Sequence, residues 1–347
     1  MVTQAEELYQ RITGRKVAVV VSLAFTVVLT LFVDIAVGPA WLSITEILSA
    51  IFKPNTVNPA TSVIVWNLRL PIALMAVVVG ASLSIAGAEM QTILDNPLAS
   101  PYTLGISAAA GFGAALALVL GVGIIPYGEH FVVPINAFFF AMLTCLLIYA
   151  IARRARLSAE TMVLAGVAIL FLFQSATALL QYVASEQQLQ AVVFWLFGNL
   201  FRTTWLKLAI AATILIVTVP VLAKDAWKLT ALRLGDEKAK SLGIKVDRLR
   251  IKVFIWVSIL IGAAVCFVGT IGFIGLAGPH IARMLVGEDQ RFFLPTSALA
   301  GAVLLSSASA VSKLVIPGAI LPIGIVTSFI GVPFFIALTL KSRKGYW

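Results

Sequence analysis

Charged residues are scarce in this chain. Lysine, arginine, aspartate and glutamate make up 12% of the 347 residues, whereas 61% are hydrophobic. A soluble globular protein has about a quarter of its residues charged, because charges cover its surface. The shortage excludes an ordinary water-soluble fold and indicates that most of the surface faces lipid.

Cysteine and histidine are equally rare. The two cysteines, Cys145 and Cys266, lie in separate apolar runs, and the chain has only two histidines. These numbers exclude a disulfide framework and leave no His/Cys cluster for a metal ion. The sequence also lacks a phosphate-binding loop of the form G-x-x-x-x-G-K-[ST] and a credible catalytic triad. We therefore expect no enzymatic activity, no metal site and no cofactor bound by this chain.

Long apolar runs, in contrast, recur along the whole sequence. About 20 apolar residues of helix cross a bilayer core, and the first run is not followed by a signal-peptide cleavage pattern. The eighth run is too short to span by itself and should be partly buried in protein. The pattern predicts an all-α membrane protein, a single domain over residues 1–347, with about ten transmembrane helices. These lie near 17–37, 65–90, 103–124, 131–151, 160–183, 205–223, 251–274, 279–287, 292–316 and 320–340.

Basic residues gather in a few connections, as is typical of cytoplasmic loops. They are Arg11, Arg15 and Lys16, Arg153, Arg154 and Arg156, nine Lys or Arg between Lys224 and Lys252, and Lys341, Arg343 and Lys344. We expect both termini in the cytoplasm of a bacterial inner membrane, with interfacial tryptophans at the opposite ends of the runs: Trp41, Trp66, Trp195 and Trp205. The net charge of +10 then reflects orientation, not nucleic-acid binding.

Small residues and proline recur with one spacing in the second and seventh runs. Gly80-Ala81, Gly87 and Pro97 each have a partner 182 residues downstream, at Gly262-Ala263, Gly269 and Pro279. Five crossings separate the copies, so they would run in opposite directions, as in the inverted repeats of transporters. Coincidental small residues that let helices pack closely are the alternative.

Two stretches are poor helix formers. The run from Gly269 to Pro279 has glycine at every third position up to Gly278, and each costs about 1 kcal/mol in a helix interior. It should break or bend, unless it serves close helix packing. The stretch Asp95–Pro101 is typical of a turn; its lack of Lys and Arg favours a gate over an ordinary connection. Glu89 is compatible with a proton relay or, more simply, with a structural bond.

The largest polar block is the segment 224–250. Within it, Asp236–Gly243 is predicted to form a short helix, with acidic residues at its start and glycine at its end. Glu237 and Lys240 are spaced to pair. An exposed short helix with an apolar side usually docks on something, either a partner protein or the membrane part of its own chain. That side consists of Leu232, Leu234, Ala239 and Leu242.

Ordered motifs run along nearly the whole chain. They include Asn67-Leu-Arg-Leu-Pro71, Gly80-Ala-Ser-Leu-Ser-Ile-Ala-Gly87, Asn96-Pro-Leu-Ala-Ser-Pro-Tyr102, Leu164-Ala-Gly166, Trp195-Leu-Phe-Gly198, Leu234-Gly-Asp236, Gly272-Phe-Ile-Gly-Leu276 with Pro279-His280, Leu321-Pro-Ile-Gly324 and Gly331-Val-Pro-Phe334. In this order they resemble the iron-chelate uptake permeases of ABC importers (the FecCD type), a group that includes the cobalamin permease.

The resemblance implies a cobalamin-permease-like, type II importer fold and a set of partners. These are a second permease subunit, identical or paralogous, two ATPase subunits that hold ATP and Mg²⁺, and a periplasmic substrate-binding protein. It further implies residue roles: docking on the ATPase by Leu234, Gly235, Asp236, Ala239, Leu242 and Gly243, closure of the inner end of the path by Asn96, Leu98, Ser158 and Ala159, and docking of the binding protein by Arg69 and Lys313.

Four positions depart from the family pattern: Ile72 and Lys313 stand where arginine is common, Ser309 where aspartate is common, and Gly278 where a branched residue is usual. In this family, periplasmic basic residues pair with acidic residues of the binding protein, and the first three departures change positions that usually carry a charge. The expected function is a permease that moves a ferric siderophore or similar iron chelate inward. A haem or cobalamin importer of the same architecture is one alternative, and an ion-coupled secondary transporter is another.

Overall fold

The structure is a computed structural model that describes residues 2–38, 42–124, 129–154, 158–316 and 319–341. Trp41, Arg156, Arg343 and Lys344, which entered the prediction of orientation, lie outside these ranges. The described residues contain helices and no strands. The helices are α1 (Val2–Ala36), α2 (Ile44–Phe52), α3 (Pro59–Val63), α4 (Leu70–Ile93), α5 (Ile106–Leu120), α6 (Glu129–Arg154), α7 (Ala159–Val183), α8 (Glu186–Leu196), α9 (Trp205–Ala223), α10 (Ala226–Leu232), α11 (Asp236–Ser241), α12 (Val246–Val268), α13 (Ile274–Val286), α14 (Gln290–Ser312) and α15 (Ile323–Lys341).

Ten stretches of these helices correspond to the ten apolar runs. Within the described residues, seven are long and apolar enough to cross a membrane, and α5, α13 and α15 contribute three shorter apolar helices. A π-helical stretch, Ile64–Arg69, joins α3 to α4 in one continuous helix. The predicted all-α fold with about ten membrane helices is confirmed.

The helices α4 and α12 are antiparallel, and they define the two ends of the molecule. The C-terminal end of α4 lies beside α11 and the start of α12. Arg250, near the start of α12, donates a hydrogen bond of 2.7 Å to the carbonyl of Ile93 in α4 and pairs with Asp236 of α11 at 3.0 Å. We call this the α11 end. The other end, where α4 begins beside Arg69, is the Arg69 end.

The proposed repeat agrees with this antiparallel arrangement but does not pair equivalent positions. Gly87 lies inside α4, whereas Gly269 ends α12 with a positive φ of 76°. Pro97 lies in a turn, whereas Pro279 lies inside α13. The spacing of 182 residues therefore overstates the symmetry.

Helix α4 is the centre of the fold, buried along most of its length and packed on α12, α13 and α14. Small residues allow this packing. A Cβ added at Gly80 would overlap the backbone of Gly301 in α14, and one added at Gly87 would overlap the carbonyl oxygen of Gly275 in α13. Dispersion attraction between backbones this close together replaces the hydrophobic effect, which lipid does not supply between helices.

We expect the substitution Gly87→Ala to destabilise the protein by about 1–3 kcal/mol, because the added methyl group forces α4 and α13 apart. Thermal unfolding in detergent measures this. The matched control is Gly14→Ala in α1, where an added Cβ meets nothing within 4 Å and alanine is the better helix former. Equal midpoints for the two variants would contradict the close packing.

Three helices were missed from the sequence: α10, within the polar segment 224–250, and α2 and α8. The last two share a start signal. Each begins with a capping box, in which a serine side chain accepts from the N3 amide and the N3 side chain accepts from the serine amide: Ser43 with Glu46, and Ser185 with Gln188. The S-x-x-E/Q pattern is a readable start signal. It was overlooked because the two helices, of 9 and 11 residues, are too short to register as spans.

Candidate functional site

Three chain breaks meet at one place inside the helical bundle. The chain between α12 and α13 leaves the helix at Gly269, as the glycine spacing predicted, although the break ends at Phe273 and Pro279 lies within α13. The end of α8 and the start of α15 lie beside it. Non-helical backbone at membrane depth must find partners in protein, and here the breaks bond one another.

The bonds among the three breaks are specific. Asn199 N donates to Val268 O at 2.6 Å, Gly324 N donates to Phe197 O at 2.9 Å, and Ile323 N donates to Gly198 O at 3.2 Å. The hydroxyl of Thr270 donates to the carbonyl of Leu196. The end of α8 therefore bonds both of the other segments, and a movement of it would change the partners of both.

A cavity of about 750 Å³ lies between this junction and the turn that follows α4. Its walls come from Ser100–Thr103, from 270–276 and from the first half of α15, where Phe329 is the most exposed side chain. No lysine, arginine, aspartate or glutamate is among the described residues that line it. Such walls offer shape and hydroxyl groups but no charged anchor, which suits passage of a bulky ligand better than tight capture.

The last two residues of the predicted gate turn, Ser100 and Pro101, line this cavity, whereas Asn96 and Leu98 are not among the described residues that line it. Asn96 Oδ1 accepts from Leu98 N at 2.9 Å, which closes a local turn, and Leu98 is 58% exposed. Asp95 adopts a positive φ of 44°, a conformation that aspartate tolerates better than most residues. The turn carries no basic residue of its own, but Arg233 donates to Asp95 Oδ1 at 2.8 Å.

Ser158 and Ala159, the other two predicted gate residues, lie at the start of α7 and are not among the described residues that line the cavity. Ser158 caps α7 by accepting from Thr161 N at 3.2 Å. Their role as gate residues stays a prediction.

The predicted docking segment divides into an outward and an inward side. Leu234 and Leu242 are 58% and 63% exposed, so they are open to a partner. Ala239 is fully buried, and the expectation that it too faces a partner is wrong, since the helix uses it to pack on its own chain. Gly235 and Gly243 have positive φ values of 100° and 80° with open space around them, so backbone geometry requires them.

Ion pairs hold this segment to the end of α4 and to the gate turn. Arg250 forms an ion pair with Asp236 at 3.0 Å and also donates a hydrogen bond to the carbonyl of Ile93. Arg233, in the connection before α11, bonds both Asp95 and Glu288. The predicted pair between Glu237 and Lys240 forms at 3.0 Å on the exposed side. Asp225 sits at the base of the segment, where burial raises its pKa but hydrogen bonds from Lys228 and Lys252 lower it below the ordinary value.

The two residues predicted to receive the binding protein are turned inward. Arg69 is 7% exposed and donates to the carbonyls of Ile35 and Ala36 at 2.8 and 2.9 Å. Lys313 bonds Asp34 at 2.8 Å, and both side chains are buried. The expectation that both charges stand on an open rim is wrong, because each is used to join α1 to a neighbouring helix. Their role in docking stays a prediction.

Buried acidic residues were underestimated. Glu89, singled out as the acid deep in a span, is fully buried and neither carboxylate oxygen has a partner among the described residues. Asp34, near the end of α1, is also fully buried and was missed. An aspartate within an apolar run was the available signal, since intramembrane acids are rare without a partner.

The model of the FecCD transport family matches residues 26–341. The chain belongs to the FecCD transport family. The chain is similar to the hemin transport system permease protein HmuU of Yersinia pestis, with 35% identity over 91% of this chain and 95% of that protein. It is also similar to the Fe(3+)-citrate import system permease protein YfmE of Bacillus subtilis, with 33% identity over 95% of this chain and 97% of that protein.

The fold agrees with this membership. A solved structure described as an inward-facing conformation of a metal-chelate type ABC transporter superposes with a TM-score of 0.83 at 29% identity, covering 93% of this chain and 99% of that one. As a FecCD protein, this chain is an ABC-importer permease of the metal-chelate type.

One departure from the FecCD pattern has a physical reason in the packing. Gly278, where a branched residue is usual, lies in α13 against Ser84 of α4, and an added Cβ would overlap the Ser84 hydroxyl. That hydroxyl donates to the carbonyl of Ser297 at 2.6 Å. The glycine thus makes room for a hydrogen bond that ties α4 to α14.

Proposed function

We propose that this FecCD permease carries a ferric siderophore or a similar iron chelate from the periplasm to the cytoplasm. The observation that supports it most is the uncharged cavity of about 750 Å³ between the gate turn and the junction of three breaks. Its volume lies within the range of about 300–1,000 Å³ usual for bound small molecules. Similarity to an Fe(3+)-citrate permease supports an iron chelate.

Haem is the second candidate cargo, favoured by the 35% identity to a hemin permease. An uncharged wall accepts a flat macrocycle as readily as a folded chelate. The other alternative, an ion-coupled secondary transporter, disagrees with membership of the FecCD transport family.

The proposed assembly pairs this chain with a second permease, two ATPase subunits that hold ATP and Mg²⁺, and a periplasmic binding protein. The basic residues Arg153, Arg154 and Lys224–Lys252 lie toward the α11 end, which supports placing that end in the cytoplasm of a bacterial inner membrane. The exposed leucines Leu234 and Leu242 at this end are the proposed contact with the ATPase.

A reconstituted assembly tests the cargo. The permease and its ATPase are placed in proteoliposomes, and ATP hydrolysis is measured with binding proteins loaded with ferric siderophore, ferric citrate, haem or cobalamin. The proposal expects uptake of ⁵⁵Fe chelate that depends on ATP and persists when ion gradients are collapsed. If only the haem-loaded or cobalamin-loaded binding protein stimulated ATP hydrolysis, that compound would be the cargo instead of an iron chelate. Uptake that follows an ion gradient without ATP would contradict an ATP-driven importer.

Cysteines at the gate turn test the path. We expect a Leu98→Cys chain to crosslink with its symmetry mate in one nucleotide state and to lose transport when joined, because Leu98 is exposed and lies two residues before Ser100, which lines the cavity. Ser158→Cys tests the second predicted gate position, and Leu314→Cys, 48% exposed at the Arg69 end, is the control. If the crosslinking yield at Leu98→Cys did not change with nucleotide, or if the crosslinked protein still transported fully, the segment would be an ordinary turn and not a gate.

A further inference from the structure

A second cavity, of about 520 Å³, opens between α9, α10 and α14 at the α11 end. Its walls are apolar and include Ile85 from α4, Val219 and Ala223 from α9, and Leu294, Ala298 and Leu299 from α14. It shares no lining residue with the first cavity. From Arg291 to Leu299 the groove follows α14 for about 12 Å, at 1.5 Å per residue. An apolar groove of this shape is suited to a hydrocarbon chain.

The mouth of the groove is basic and aromatic. Arg291 lines it, with 43% of its side chain exposed, and its guanidinium lies 5.4 Å from the ring centroid of Trp227. The ammonium of Lys16 lies 5.2 Å from the ring of Phe292, the residue next to Arg291. Aromatic and basic side chains together mark the interface of a membrane with water.

The nearby acids are outnumbered by basic residues. Asp289 accepts two hydrogen bonds from Arg291, at 3.0 Å from Nε and at 2.7 Å from Nη2, and offsets one positive charge. Asp225 is buried and already forms ion pairs with Lys228 at 2.6 Å and with Lys252 at 2.5 Å. Lys224, which directly follows the wall residue Ala223, is exposed. The surroundings of the mouth therefore carry an excess of positive charge.

Gln290 adds an unsatisfied acceptor at the same place. It lines the groove and is 1% exposed, and its Nε2 donates to Thr92 Oγ1 at 2.8 Å. Thr92 Oγ1 in turn donates to the carbonyl of Ala88, so the threonine can only accept, which fixes the orientation of the amide. Gln290 Oε1 has no hydrogen-bond partner among the described residues. A buried acceptor of this kind calls for a donor.

We propose that this groove binds an anionic phospholipid with a hydroxyl-bearing head group, of the phosphatidylglycerol class. An acyl chain lies along α14, the phosphate lies between Arg291 and Lys16, and a head-group hydroxyl donates to Gln290 Oε1. The site requires only that the chain spans a membrane with anionic lipid at the α11 end, where basic residues between helices attract such head groups. It is independent of the cargo.

The test is a lipid titration of the full-length protein, with its ATPase where the two co-purify, followed by native mass spectrometry. Dioleoyl phosphatidylglycerol is compared with dioleoyl phosphatidylcholine. Each Lys or Arg near an anionic surface strengthens binding about five-fold. The double variant Lys16→Gln/Arg291→Gln is therefore expected to lose roughly ten-fold or more in phosphatidylglycerol affinity, and with it the preference over phosphatidylcholine. The control Arg153→Gln/Arg154→Gln changes the same charge at exposed positions of α6 and should behave as the parent.

Two further variants separate lipid binding from a structural role of Arg291. Asp289→Asn removes the ion pair and the competing acid but keeps a good helix cap, so phosphatidylglycerol should bind more tightly. Ala298→Trp fills the groove and should remove both lipids. Equal binding in the Lys16/Arg291 variant and its control overturns the proposal, as does a loss of binding in Asp289→Asn. Competition by glycerophosphoglycerol, which lacks acyl chains, as effectively as by the lipid would leave a phosphate site without the groove and also overturn it.

Discussion

Replacement of Leu234 and Leu242 by aspartate is expected to abolish ATP-driven uptake while the permease still inserts and folds. Both leucines are more than half exposed on the segment that is bonded to the end of α4. Burial of a leucine side chain contributes about 1.5–3 kcal/mol, and a carboxylate in its place would have to be desolvated. Co-purification of the ATPase and coupled uptake in proteoliposomes are the measurements.

Ala239 provides the discriminating comparison for this prediction. Because Ala239 is fully buried against its own chain, Ala239→Asp should lower the yield and thermal stability of the permease itself. Glu237→Ala, on the exposed side of the same helix, should leave folding unchanged. If the double leucine variant retained the ATPase and full uptake, the segment would not be the contact.

Lys313→Met is expected to destabilise the protein by about 3–5 kcal/mol, because it leaves the carboxylate of Asp34 buried without its cation. Lys313 and Asp34 are 4% and 0% exposed, and they join α14 to α1. Removing both charges in Lys313→Met/Asp34→Leu should restore most of the loss, since an apolar pair of similar volume replaces a buried ion pair well.

Thermal unfolding of the two single variants and the double variant gives the coupling energy directly. Lys53→Met, a basic residue exposed to solvent, is the control and should be neutral. Additive losses in the double variant would mean that the pair does not interact. The same variants also bear on binding-protein docking: slower docking by Lys313→Met without loss of stability would show that the lysine acts outward after all.

Much of the membrane fold could be predicted from composition and pattern. The ten apolar runs correspond to ten helical stretches of the described chain, because burying backbone polar groups in lipid leaves helix as the only local solution. The boundaries were least secure where glycine and proline are frequent. The predicted break begins at Gly269 as expected, but it ends before Pro279, since α13 starts at Ile274. Pro279 fits within this helix because proline lacks only its own amide hydrogen, and neighbouring protein supplies the remaining bonds.

The candidate site was predicted unevenly. The sequence pattern placed Asn96 and Leu98 in a turn whose last residues, Ser100 and Pro101, line a cavity. It could not reveal that the cavity is closed on its other side by α15 and by the end of α8, because those segments are more than 80 residues away in sequence. The family resemblance implied a docking role for Arg69 and Lys313. In the structure Arg69 donates to carbonyls of α1, and Lys313 pairs with Asp34 of α1.

The sequence by itself determined that this chain is helical, that it lies in a membrane and that it belongs with the metal-chelate permeases, since hydropathy and ordered motifs are local properties. Only the tertiary structure decided which side of α11 faces outward, which charges are paired and where the two cavities open. Those features depend on contacts between residues far apart in the chain, such as Arg250 with Ile93 or Lys313 with Asp34. Whether a given leucine, alanine or lysine is buried or exposed depends on which residues pack against it in the folded chain.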